Sequence, residues 1–251
     1  FGSVDYPWGP GELFRYTSAQ TFVLSAAMDA FLKETEGPDA HLWERLTEEV
    51  FAPIGVEHLT MMHVASDDTG PGIPLMSSGL RLTVDDVAKI STLLQQGGSY
   101  DGVQLLDAAK LSEALARSGS LVGLPSGKTF LDGDQGYHMS FWSLPYRAES
   151  GQYFQVPFMS GAGGNTVFLA PNGVTTFVFT DFNQDSYSLQ SPAVAEAISP
   201  YPGEGVGSVR LIDGGPGQTA LIVLVAAAAI GVVGIVFFIR RRRGLRPTVE
   251  H

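Results

Sequence analysis

The chain has 251 residues, 15 basic and 26 acidic side chains, a formal net charge of −11 and no cysteine. Disulfides and thiolate metal sites are therefore excluded. Five arginines (Arg240 to Arg243 and Arg246) lie beyond residue 239 beside one acid, Glu250, so the rest holds 10 basic and 25 acidic side chains. Such an acidic body is no surface for nucleic acid, because phosphate binding needs a basic patch. The five histidines show neither H-x-x-x-H nor H-E-x-x-H spacing, and no metal or cofactor site is expected. The chain begins at Phe1 and is expected to be a fragment or processed product.

Thr17 or Ser18 can cap a first helix whose apolar positions are Phe22, Val23, Ala26, Ala27, Ala30 and Phe31, stopped by Gly37-Pro38. A second helix is expected from Asp39 to Val50, burying Leu42, Trp43, Leu46 and Val50 and ending before Pro53. Residues 54–82 read as mostly irregular. Thr83 with Asp86 forms a capping box for a third helix that ends near Gly97, and a fourth runs from Asp107 to Arg117. Gly127-Lys128-Thr129 reads as a surface turn; it lacks the earlier glycine of a phosphate loop, since position 122 is Val122.

After residue 134 the period changes to that of strands. Gly136 to Leu144 and Tyr153 to Met159 each read as one strand, and His138 on the first reads as structural. Thr166 to Ala170 and Val174 to Thr180 form a hairpin about Asn172-Gly173, a strong short-range turn signal. Ser191 and Pro192 open a last short helix. Helices, then consecutive antiparallel strands, then one helix make an α+β pattern.

Pro200 to Gln218 holds six glycines and three prolines and reads as a flexible tether. Thr219 to Ile239 is a charge-free run of 21 residues. As a helix it is roughly 30 Å long, the thickness of a bilayer's hydrocarbon core. Four arginines follow at once. The expectation is one transmembrane helix over 219–239, a cytoplasmic tail over 240–251, and an extracytoplasmic domain over 1–199.

Several segments in order resemble the serine β-lactamase and penicillin-binding-protein superfamily, in particular its class C–like branch. They are Pro10-Gly11-x4-Tyr16-Thr17-Ser18, Val50-Phe51-Ala52-Pro53-Ile54-Gly55, Ser78-Gly79-Leu80-Arg81-Leu82-Thr83 with Asp86-Val87-Ala88, Gly136-Tyr137-His138, and Met159-Ser160-Gly161-Ala162-Gly163-Gly164. The resemblance implies a β-lactamase-like α+β fold, incomplete at its N-terminus, with a sheet edge left unpaired. It implies acyl transfer to a serine followed by hydrolysis. An alcohol needs a base to become a nucleophile, and the tetrahedral intermediate needs donors aimed at its oxygen. Tyr16 then matches the proton-relay tyrosine, and Ser18 stands where the family has asparagine. Ser160 matches the hydroxyl of the third motif, with Gly161 following and the Ala162 backbone N–H as oxyanion donor.

Two departures bear on activity. No serine in the chain is followed three positions on by lysine, so the nucleophile is expected upstream of Phe1. Met159 stands where the family has lysine or histidine, which points toward a neutral small-molecule ester or amide. The alternative, favoured by Met159 and Ser18, is a non-catalytic extracytoplasmic binding or scaffolding domain on the same fold.

Overall fold

The computed structural model describes residues 7–57, 61–64, 72–116, 123–130, 133–151, 153–179, 193–194 and 196–198. The linker 200–218, the apolar run 219–239 and the tail 240–251 lie outside the described residues. Among the described residues no helix is long and apolar enough to cross a membrane.

Helix α1 (Ser18–Glu36) begins where expected, with Thr17 as cap and the Thr17 N–H donating to Gln20 Oε1 at 3.2 Å. The face it buries is not the expected apolar stripe. Thr21, Ser25, Met28, Asp29 and Leu32 are buried, while Val23 and Phe31 stay 66% and 51% exposed. Polar partners explain the reversal, because a buried polar group is tolerated when it is bonded. Ser25 Oγ donates to the Pro74 carbonyl at 2.5 Å. Asp29 accepts from the Leu42 N–H at 3.1 Å and pairs with Lys33 at 2.8 Å. That carboxylate fixes the start of α2 (Leu42–Leu46), which continues as a wider turn over Thr47–Phe51 and a 3-10 turn over Ala52–Ile54. Gly55, at φ +70°, ends the run.

Helix α3 (Val84–Gln95) carries the expected capping box, with Thr83 N–H donating to Asp86 Oδ2 at 2.8 Å and Asp86 N–H donating to Thr83 Oγ1 at 3.2 Å. A short hairpin, β1 (Ser99–Tyr100) with β2 (Val103–Gln104), follows around Asp101-Gly102. Both turn residues have positive φ, the geometry that suits an Asp-Gly hairpin. Helix α4 (Ala108–Ala114) is capped by Asp107, whose side chain accepts from the Lys110 N–H at 2.9 Å.

The remaining strands are β3 (Leu124–Phe130), β4 (Gly133–His138), β5 (Phe141–Arg147), β6 (Tyr153–Ser160), β7 (Thr166–Leu169) and β8 (Thr175–Val178). They form one antiparallel sheet in sequence order. Two expectations are corrected here. The stretch read as a surface turn at Gly127-Lys128-Thr129 lies inside β3, where the register with β4 shifts between Pro125 and Thr129. The stretch Gly136 to Leu144 is two strands, not one. It folds back at Met139 and Ser140, which have φ of +41° and +76°. Neither is glycine or asparagine, so the turn carries no sequence signal.

Both faces of the sheet are covered, which accounts for the continuously buried β7. One face packs Phe141, Val167 and Leu169 against the helices through Leu32, Leu46, Phe51, Leu93 and Leu94. The other packs Leu144, Phe154, Val156, Phe158 and Phe168 with Val194 and Ile198. Residues 193–194 and 196–198 are helical, in the region of the last expected helix. Gln95 at the end of α3 donates to the Ala170 and Val174 carbonyls at 3.2 and 3.0 Å, pinning the β7–β8 turn to the helical layer.

Two glycines with positive φ separate backbone strain from steric contact. Gly173 (φ +86°) has open space at its missing Cβ, so Gly173→Ala is expected to cost about 1 kcal/mol. Gly123 (φ +82°) sits against the backbone of Tyr137, and a Cβ there forces β3 away from β4. Thermal unfolding is predicted to show a larger fall in Tm for Gly123→Ala than for Gly173→Ala; equal falls would contradict this packing.

Candidate active site

The segment before α1 is laid against the sheet. The Phe14 N–H donates to the Pro125 carbonyl of β3 at 2.8 Å. The Phe14 ring stacks on Tyr137 at 3.6 Å between centroids and 3° between planes. Trp142 meets both edge-on, at 5.7 Å from Phe14 and 4.8 Å from Tyr137. Tyr16 then lies 6.1 Å from Trp142, centroid to centroid. Trp142 in turn contacts Phe158, and Phe158 stacks on Phe168 at 4.7 Å. Aromatic pairs of this kind add about 0.5–1.5 kcal/mol each beyond area burial. The row fixes Tyr16 relative to β5 and β6.

At the end of β6, Ser160 pairs with Thr166 of β7. The chain reverses through a 3-10 turn, Ala162–Gly164. The Gly161 N–H donates to the Asn165 carbonyl at 2.7 Å, and Asn165 Nδ2 donates to the Ala162 carbonyl at 2.9 Å. Ala162 is the first residue of that turn, and the first N–H groups of a helical turn have no partner within it.

Tyr16, Ser18, Ser160, Gly161 and Ala162 all line one cavity of about 700 Å³. Two segments far apart in sequence thus meet at a single concave surface. Gln135, Trp142, Met159 and Val167 come from strands of the sheet; the 77–82 loop with Val87 and Ile90 of α3 supplies another part of the lining. The cavity therefore lies between sheet and helices. Lys128 and Arg81 also line it. Sequence reading missed both as site residues. The signal at Lys128 was hidden by Pro125 and Gly127, which read as turn chemistry. Arg81 was visible only as part of a motif.

Burial pushes the Tyr137 phenol well above the usual tyrosine range; the Ser140 hydroxyl partly offsets this and the nearby Tyr16 adds to it. Tyr137 therefore stays a neutral phenol and acts as a fixed part of the aromatic floor. His138 is half-buried, and burial lowers its pKa against a smaller opposing pull from Glu113. Among the described residues its Nε2 has no hydrogen-bond partner. No group of three or more histidines, aspartates and glutamates that could hold a metal occurs among the described residues.

No family model and no curated protein matches the chain. A solved structure does, that of a protein from Bacillus anthracis described as a 6-aminohexanoate-dimer hydrolase. The TM-score is 0.55 at 22% identity, over 78% of this chain and 48% of that one. The fold is β-lactamase-like. The likeness is one of fold, and this chain spans about half the length of the structure it matches.

The lowered pKa of His138 has a sign that can be checked. A histidine held neutral in the folded state binds fewer protons than in the unfolded chain, so stability falls as pH drops through its ordinary value of 6.5. Thermal unfolding between pH 7.5 and about 5.5 is expected to lose part of its acid sensitivity in His138→Gln. An unchanged profile would place that sensitivity elsewhere.

Proposed function

We propose that this chain is the C-terminal part of a membrane-anchored, β-lactamase-related serine hydrolase. It cleaves a small-molecule ester or amide through an acyl-serine whose nucleophile lies outside this chain. The observation that carries the reading is the shared cavity: the relay-motif residues Tyr16 and Ser18 and the third-motif residues Ser160, Gly161 and Ala162 line it together. The hydrolase fold of the solved neighbour supports the same reading. In this mechanism an upstream Ser-x-x-Lys enters the open side of the cavity. Tyr16 carries the proton between the nucleophile, its lysine and the leaving group. Ser160 positions the substrate, and the Ala162 N–H stabilises the oxyanion. The apolar run at 219–239, followed by four arginines, holds the domain at the outer face of a membrane with the C-terminus inside.

The second reading is a binding or scaffolding domain without catalysis. Met159 in place of a cation, and Ser18 in place of asparagine, favour it.

One set of measurements separates them. The intact protein should resist carbonate extraction from membranes, release with detergent, and be labelled by a fluorophosphonate at a serine of a Ser-x-x-Lys sequence preceding Tyr16. Tyr16→Phe should then lower kcat about a hundredfold or more with little change in Tm. Absence of labelling in folded intact protein favours the binding domain, and unchanged turnover in Tyr16→Phe refutes the relay role.

A further inference from the structure

We propose that Asn165 is a positioning residue of this site: its side chain clamps the glycine-rich turn after β6 and so presets the Ala162 N–H toward the oxyanion. The inference rests on the reading of the cavity as an acyl-serine site and goes beyond it by assigning what holds that donor in place.

The need for a clamp lies in the sequence of the turn. Gly161-Ala162-Gly163-Gly164 holds three glycines in four residues. Glycine has more backbone freedom to lose than any other residue, so such a segment favours no single orientation of its peptide groups. An oxyanion donor is effective only when its direction is fixed before the charge develops. A turn of this composition therefore needs a restraint beyond its own backbone preferences.

Asn165 supplies that restraint twice. The last strand pair of the β6–β7 hairpin is Ser160 with Thr166. The ladder continues one step further, where the Gly161 N–H donates to the Asn165 carbonyl at 2.7 Å. This closes the three-residue loop Ala162–Gly164, whose last residue has the positive φ, +89°, that suits a loop of this length. Across the loop, Asn165 Nδ2 donates to the Ala162 carbonyl at 2.9 Å. A carbonyl oxygen can only accept, so the amide must present its nitrogen there. The Ala162 N–H belongs to the peptide group between these two bonds. One bond holds the N–H of the preceding residue, and the other holds the carbonyl of Ala162 itself. The donor's direction is thereby set from both sides.

Asn165 is in turn held by the core. Thr166, next in sequence, is buried in β7 and pairs with both Ser160 and Val178. Asn165 and Ala162 both line the cavity, so the clamp lies at the reacting end. A second asparagine offers an internal comparison. Asn172, beyond the other end of β7, donates from Nδ2 to the Ala197 carbonyl at 2.6 Å and accepts from the Val174 N–H at 3.2 Å. The bond is of the same kind, but it ties a turn to the helical segment at 196–198.

The test uses the intact protein and two probes, p-nitrophenyl butyrate and its thiono analogue, in which sulfur replaces the carbonyl oxygen. Sulfur is larger than oxygen and accepts hydrogen bonds less well, so an aimed oxyanion donor favours the oxygen ester. Asn165→Asp keeps the shape of the side chain and the backbone bond to Gly161 but removes the donor. Asn165→Ala removes it without adding a charge. Both variants should lower kcat on the oxygen ester about tenfold or more with KM nearly unchanged, and should lower the oxygen-to-sulfur rate ratio by a similar factor. Asn172→Asp should lower Tm and leave the ratio at its wild-type value. An unchanged ratio in the Asn165 variants overturns the positioning role, whatever happens to Tm. So does a fall confined to Asn165→Asp, which is then the effect of the added carboxylate, and so does an equal fall in Asn172→Asp, which reports general loosening. Fluorophosphonate labelling separates the two readings. Labelled wild-type protein with an unchanged ratio in the variants overturns the positioning role alone. Folded wild-type protein that is neither labelled nor active overturns the hydrolase reading, and this inference with it.

Discussion

The arrangement depends on one contact, the seating of Phe14 on the sheet. Its ring stacks on Tyr137 and its N–H bonds the Pro125 carbonyl. The first of these is dispersion contact between two nearly parallel rings, and the second extends the sheet's edge by one hydrogen bond. Together they pin the segment that leads into α1. Two residues later comes Tyr16, held near Trp142 of β5. Because β5 pairs with β6, the end of β6 and its Ser160-Gly161-Ala162 segment fall on the wall of the same cavity. Local packing at one phenylalanine thus joins motifs that the chain separates widely.

The sheet makes that placement rigid. Its two faces are both buried, one against the helices and one against residues 194 and 198. Fully burying a side chain of the size of Phe158 or Leu169 stabilises by about 1.5–3 kcal/mol, so no strand can tilt without losing several such terms. Gln95 fastens the β7–β8 turn to α3, which also contributes Val87 and Ile90 to the cavity. The walls of the cavity are therefore coupled through the core. Among the described residues the one strand paired with β8 is β7.

Some of this was legible in the sequence because the chemistry is local. Thr83 with Asp86 announced α3, and Asn172-Gly173 announced the β7–β8 turn. The five motif residues share a cavity, although only the family resemblance, not their spacing, placed them together. What failed was non-local. The buried face of α1 is polar because Ser25 and Asp29 find partners on Pro74 and Leu42, which no helical periodicity reveals. Strand β3 was hidden because a bulge needs the same residues as a turn. The hairpin at Met139 and Ser140 was hidden because neither residue is the glycine or asparagine that marks a turn with positive φ. Of the described lining residues, Lys128 was missed because it lies on the unrecognised strand, and Arg81 because it stood only within a motif on a loop.

The central claim is that this chain supplies one wall of an acyl-serine site, with Tyr16 and the Ala162 N–H facing the reacting carbonyl. The direct measurement is a crystal structure of the intact protein after reaction with a fluorophosphonate. The account predicts a phosphonylated serine at the mouth of the cavity, with a phosphonyl oxygen about 3 Å from the Ala162 nitrogen and the Tyr16 hydroxyl within hydrogen-bond reach of the serine oxygen. An adduct on a serine outside the cavity, or one whose phosphonyl oxygen points away from Ala162, would contradict it.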